Sequence, residues 1–208
     1  MVYLTGILPA LFGVMAIRTN DFRYKAGVTL TCMLILLLAQ WTMGLPAAVW
    51  VILAAFACSI VGDFFLSHKK RNPQYYLWGV SSFWLAHLGY LVFTWSQGTL
   101  QASVFWLLLL GYGAYFALRV GPAIGQKTLA VAVFLYVVIS CLSLAAAVGM
   151  DASAAVKSWM IVGIGLILIS DTIIGEVDFV GTKGLGFLIL PTYYAAHISI
   201  LYALLHMR

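Results

Sequence analysis

Charged side chains are scarce in this chain: of its 208 residues only 11 are Lys or Arg and 6 are Asp or Glu, 8% in all, against 64% hydrophobic. Soluble domains carry about a quarter charged residues, so the composition excludes an ordinary water-soluble globular protein. Cysteine is also sparse. Cys32, Cys58 and Cys141 stand alone with no C-x-x-C pairing, which argues against a metal knuckle or a disulfide framework and leaves them as small apolar fillers. No basic residue precedes the first apolar stretch, Met1 to Ile17, so that stretch reads as a retained span and not a cleaved signal peptide. No linker or charge-rich segment divides the chain, and residues 1–208 read as a single integral membrane domain.

What is present is a series of apolar runs. Read against a hydrocarbon core of roughly 30 Å, they give eight helices at about 2–17, 26–43, 47–67, 74–96, 101–118, 128–148, 155–175 and 184–206. The connections are brief, so the fold class is all-α, a polytopic membrane bundle of eight transmembrane helices with consecutive helices antiparallel. Nine basic residues (Arg18, Arg23, Lys25, Lys69, Lys70, Arg71, Arg119, Lys127 and Lys183) fall in the odd-numbered connections, whereas Lys157 and Arg208 alone fall on the other face. By the positive-inside rule the nine face the cytoplasm and both termini lie outside, as in a plasma (bacterial inner) membrane. Trp41, Trp50, Trp95 and Trp159 then form a belt at the outer boundary. The net charge of +5 is accounted for by these connections, and no nucleic-acid role is assigned.

Two acids interrupt the apolar runs: Gly62-Asp63 in the third helix and Ser170-Asp171 in the seventh. An Asp at a helix centre costs roughly 2.5 to 3.5 kcal/mol on insertion scales, so an acid inside a span normally faces a polar cavity. Both lie about five residues before a basic connection, on helices running the same way, which puts both carboxylates roughly 7 Å inside the boundary. The pair is expected to share one cavity. Each is followed by a helix with a histidine, His87 at 24 residues and His197 at 26, which suggests a 4+4 parallel internal repeat with the third, fourth, seventh and eighth helices around the axis. By the same rise per residue, the histidines lie about 12 Å deeper than the acids.

Ser59, Asp63 and Ser67 recur at every fourth position, making one polar stripe on the third helix. Tyr90 lies one turn beyond His87, and Tyr193 and Tyr194 one turn before His197, so these faces are polar too. Pro191 is expected to kink the eighth helix or free a carbonyl. Glu176 and Asp178 read as solvated loop charges. A structural role for the acids is the alternative, each accepting bonds from a neighbouring helix or pairing with Lys69, Lys70, Arg71 or Lys183.

The run Ile60 through Leu66 with its Gly62-Asp63, then Gly79 through Phe83, Ala86-His87 and Tyr90, and later Ser170-Asp171 with Pro191 through His197, resembles the YhhN family, also called the lysoplasmalogenase family. The resemblance implies an eight-helix membrane hydrolase that cleaves the vinyl ether bond of lysoplasmalogens, releasing a fatty aldehyde and glycerophosphoethanolamine or glycerophosphocholine, with Asp63 and Asp171 as the catalytic pair. The chemistry suits two acids. Protonating the β-carbon of a vinyl ether gives an oxocarbenium ion, water adds, and the hemiacetal collapses to aldehyde and alcohol. Two neighbouring carboxylates in a low-dielectric site do not both ionise easily, which supplies an acid and a base together. His87, Tyr90, Tyr193, Tyr194, His197, Ser59 and Ser67 are the expected substrate-binding groups. A lysophospholipid headgroup would sit by Lys69, Lys70, Arg71, Arg119 or Lys183, its tail among the helices and membrane lipid. No cofactor, nucleotide or metal is required. The rival readings are a metal-dependent lipid hydrolase with Asp63, Asp171, His87 and His197 as ligands, and a proton-coupled carrier of lipid or small molecules.

Overall fold

The computed structural model describes residues 2–72 and 74–207; Met1 and Arg208, which the topology reading used, lie outside them. Eight α-helices follow one another with short connections: α1 Ile7–Thr19, α2 Phe22–Met43, α3 Val49–Ser67, α4 Gln74–Ser96, α5 Ala102–Tyr115, α6 Lys127–Val148, α7 Ala154–Gly175 and α8 Ile189–Leu205. Among the described residues seven helical stretches are long and apolar enough to cross a bilayer, and Leu4–Thr19 is shorter. The protein is a multi-pass membrane protein.

Helix ends follow local polar chemistry that a hydropathy count does not see. Asp21 caps α2 by accepting from the Arg23 amide at 2.9 Å. The helix therefore starts at Phe22 and takes in Lys25, which the sequence reading leaves in the connection. Helix α7 runs past Gly175 through a π turn, Glu176–Val180, and stops at Gly181, whose positive φ of 78° closes it. A second π turn, Phe116–Val120, extends α5. Pro191 falls at the third position of α8, after a 3-10 turn at Gly186–Leu188. Amides of a first helical turn have no intrahelical carbonyl to bond, so a proline at this position costs the helix no hydrogen bond.

The helices form a ring in the order α2, α3, α4, α6, α7, α8, which α8 closes against α2. Helix α1 packs on both α2 and α8, and α5 lies outside on α6 with no buried residue of its own. The most extensive pairings are α3 with α4 and α7 with α8. Both depend on a glycine: a β-carbon on Gly89 would stand 2.9 Å from that of Ala55, and one on Gly163 would stand 2.6 Å from Cγ1 of Ile200. Small residues let helix backbones approach closely where lipid offers no hydrophobic drive. Contrary to an axis of four helices, α6 stands between α4 and α7 and contributes to the centre.

Candidate active site

The polar stripe of α3 grades from the core outward. Ser59 is 1% exposed, Asp63 is 8% exposed, and Ser67 is exposed at the helix end, where the Lys25 ammonium lies 3.4 Å from its hydroxyl. Asp63 and Ser67 line a cavity of about 590 Å³ at the basic end of the bundle. Its lining combines three lysines, Lys25, Lys69 and Lys70, and a second acid, Asp178, with the apolar side chains of Ile17, Leu66, Ile174, Phe187, Ile189 and Leu190. A volume of this size is in the range of small-molecule sites. Asp63 accepts from the Tyr193 hydroxyl at 3.2 Å and has no Lys or Arg within ion-pairing distance among the described residues.

Asp171 does not line this cavity. It lines two smaller, mostly apolar pockets of about 60 and 50 Å³, one with Tyr76, Val80 and Phe83, the other with Tyr112, Tyr115 and Phe116. The expectation of a single cavity holding both acids is not met: Asp63 lines the large cavity and Asp171 the two smaller pockets, and the large cavity adjoins the first of these at Leu66 and Ile174, which line both. Asp171 accepts from the Tyr136 hydroxyl at 2.6 Å, and His87 Nε2 lies 3.7 Å from the same oxygen.

The contact with His87 overturns the depth mismatch argued from the sequence. The π turn carries α7 on to Val180, so Asp171 lies nine residues from the end of its helix and not five. That places it near the level of His87. The same extension overturns the view of Glu176 as a solvated loop charge. Its carboxylate, on a residue 8% exposed, takes Arg119 Nε at 2.6 Å and Nη2 at 3.2 Å, the Tyr115 hydroxyl at 2.7 Å and the Thr182 hydroxyl. Asp178 is paired with Lys69. These pairs tie α5 and the α3–α4 connection to the end of α7.

The remaining expected site residues divide. Tyr193 reaches Asp63, and His87 reaches Asp171, so each acid is touched by a side chain from the opposite half of the chain. Tyr90 lies one turn from His87, with ring centroids 5.7 Å apart, and is 1% exposed. His197 does not reach either acid. Its Nδ1 donates to the Tyr193 carbonyl at 3.0 Å, and its ring packs on Phe56 at 4.9 Å and Tyr193 at 4.4 Å. Tyr194 faces α1, where its ring lies 3.3 Å from the place a β-carbon on Gly13 would take. Among the described residues no group of three or more His, Cys, Asp or Glu side chains stands close enough to hold a metal ion.

Tyr136 and Lys25 are the residues that sequence reasoning missed. Tyr136, Ser140 and Ser143 recur at helical spacing in the apolar run of α6, the same polar-stripe signal that marked α3. Ser143 donates to the His87 carbonyl at 2.9 Å and fixes α6 against α4.

No curated protein and no solved structure matches the chain significantly. The sequence model of the YhhN family does match, over residues 24–204, and so covers both acids and all of the cavity lining except Ile17 and Asn20. The chain belongs to the YhhN family.

Proposed function

We propose that the protein hydrolyses the vinyl ether bond of lysoplasmalogens, releasing a fatty aldehyde and the glycerophosphoethanolamine or glycerophosphocholine. The observation that carries this reading is the cavity at the basic end: a buried carboxyl, Asp63, in a lining that combines Lys25, Lys70 and the Lys69–Asp178 pair with apolar side chains. A lysophospholipid has the matching combination, an anionic phosphate and a single hydrocarbon chain. With the phosphate held near Lys25, Lys69 and Lys70, the chain passes between Leu66 and Ile174 into the apolar pocket lined by Val80, Phe83 and Asp171. The vinyl ether, close to the glycerol, then falls at Leu66 and Ile174, where cavity and pocket adjoin and which part as the chain enters.

In this arrangement one acid protonates the β-carbon, and the resulting oxocarbenium ion is stabilised by the other carboxylate, which also takes a proton from the attacking water. The hemiacetal hydroxyl then loses its proton as the glycerol oxygen gains one and leaves. Membership of the YhhN family supports the hydrolase class. By the excess of basic residues at this end, the site faces the cytoplasmic side of the membrane.

The test is aldehyde release by purified protein from choline and ethanolamine lysoplasmalogens, with an ester-linked lysophospholipid as control. The expected result is aldehyde from the wild type and a loss of about 10²- to 10⁴-fold in Asp63→Asn and Asp171→Asn, the usual contribution of a general acid or base. Hydrolysis of the ester alone, or full activity in both variants, would reject the reading.

A further inference from the structure

The two pockets beside Asp171 are each too small to hold a fatty chain. An apolar cavity of roughly 150 Å³ takes a single benzene ring, and these measure about 60 and 50 Å³. They stand, however, in a series. The basic cavity adjoins the first pocket at Leu66 and Ile174, and the first pocket adjoins the second at Tyr136, Asp171 and Gly175, which line both. The second pocket lies against α5, which buries no residue. Tyr112, Phe116, Val137 and Thr172 in its lining are only half-buried, so this end of the series reaches the lipid-facing surface. Tyr115, also in its lining, gives its hydroxyl to Glu176 at 2.7 Å, which fixes that ring as a wall.

Gly175 sits where the two pockets meet. Glycine inside a helix is costly beside alanine, and here neither the backbone nor the packing demands it. Its φ is −57°, ordinary for any residue, and a β-carbon would find nothing closer than the Val120 methyl groups at 3.8 Å. Gly89 and Gly163, by contrast, are held to glycine by a neighbouring helix. What the missing side chain at Gly175 leaves is room at the junction of the pockets.

We propose that the two pockets form a passage for the hydrocarbon chain of a lysophospholipid, running from the basic cavity past Asp171 and Gly175 and out beside α5 into the bilayer. The inference rests on the lysophospholipid reading and gives that substrate a second subsite. Only the carbons next to the vinyl ether lie within the protein and the rest of the chain stays in lipid, so the site sets no upper limit on chain length. The products part at the same place. The glycerophospho-alcohol leaves through the basic cavity, and the fatty aldehyde leaves sideways into the membrane without passing the lysines.

Photo-crosslinking of the full chain in detergent micelles tests the route. The probe is a saturated-ether lysophosphocholine, which lacks the vinyl ether and is not cleaved, with a diazirine at mid-chain. Peptide mapping is expected to find label on Tyr112, Tyr115 or Phe116 that excess unlabelled ether lysophosphocholine suppresses, whereas label on Leu107 and Leu110, 73% and 71% exposed, persists. Suppressible label confined to other helices overturns the passage. Gly175→Leu puts an isobutyl group at the junction and should lower the ratio of kcat/KM for a hexadecenyl over a butenyl lysoplasmalogen about tenfold, with Val137→Trp as the block from α6 if that variant does not fold. An unchanged ratio in a folded variant overturns the passage. Aldehyde from the wild type without suppressible label on α5 also overturns it and leaves the hydrolase reading standing. Suppressible label on α5 without aldehyde keeps the passage as a lipid site and removes the hydrolase reading, and the absence of both removes the two together.

Discussion

Replacing Tyr136 by phenylalanine removes one oxygen and leaves the ring that packs 5.1 Å from His87 at a right angle. The lost group donates to Asp171 at 2.6 Å from a residue 9% exposed. A bond this short is in the range of O–H donors on an ionised acceptor. A hydrogen bond to a charged group contributes about 1.5 to 3 kcal/mol, and one between neutral groups about 0.5 to 1.5 kcal/mol. The carboxylate has no strong second donor to compensate, since His87 stands at 3.7 Å. Tyr136→Phe should therefore destabilise the protein by about 1.5 to 3 kcal/mol in the wild-type background. In Asp171→Asn, where the amide oxygen still accepts but carries no charge, the same change should cost only about 0.5 to 1.5 kcal/mol. The measurement is a double-mutant cycle on reversible unfolding in mixed detergent micelles, followed by the tryptophan signal or far-UV circular dichroism. Equal costs in both backgrounds would show that Asp171 does not hold the Tyr136 hydroxyl as a carboxylate, and a cost near zero in both would show that the bond is not formed.

If the cavity takes a lysophospholipid as proposed, with its phosphate by these lysines, Lys25→Gln and Lys70→Gln should each raise KM several-fold, with kcat little changed and a weaker dependence on salt; a fall in kcat at constant KM would refute that role. Glu176→Gln should weaken the attachment of α5 to α7, and hydrogen exchange by mass spectrometry over Ala102–Ala123 should speed up while exchange in α3 and α4 stays the same. Gly89→Leu should push α3 from α4 and destabilise by about 1 to 3 kcal/mol, whereas Gly165→Ala, with nothing within 4 Å of its new β-carbon, should be close to neutral in the same unfolding assay.

Much of the site was legible because its signals are local. The stripe Ser59, Asp63, Ser67 follows from helical periodicity alone, and its gradation from buried to exposed is what a helix facing a cavity must show. The acids stood out because a charge in an apolar run is costly wherever the run goes. Tyr136 carried a comparable pattern with Ser140 and Ser143, but a tyrosine among apolar residues is so common that the pattern gained meaning only beside Asp171. Lys25 was hidden by its place at a helix start, where hydropathy cannot separate a topology signal from a cavity wall. Glu176 was misjudged because a π turn, set by tertiary contacts with Arg119, Tyr115 and Thr182, prolongs α7 beyond the end of its apolar run.

Hydropathy and charge spacing are properties of neighbouring residues, and by themselves they determined the eight helices, the basic end of the bundle and the two acids, Asp63 and Asp171, that interrupt the apolar runs. The pairing of those acids with their partners belongs to contacts across the chain, 130 residues for Tyr193 with Asp63 and 35 for Tyr136 with Asp171. Which helix fills the place beside α7, and whether the two carboxyls open into one pocket or into separate ones, depends on how the ring closes. A one-dimensional pattern gives each side chain a face and a depth; only packing gives it a neighbour.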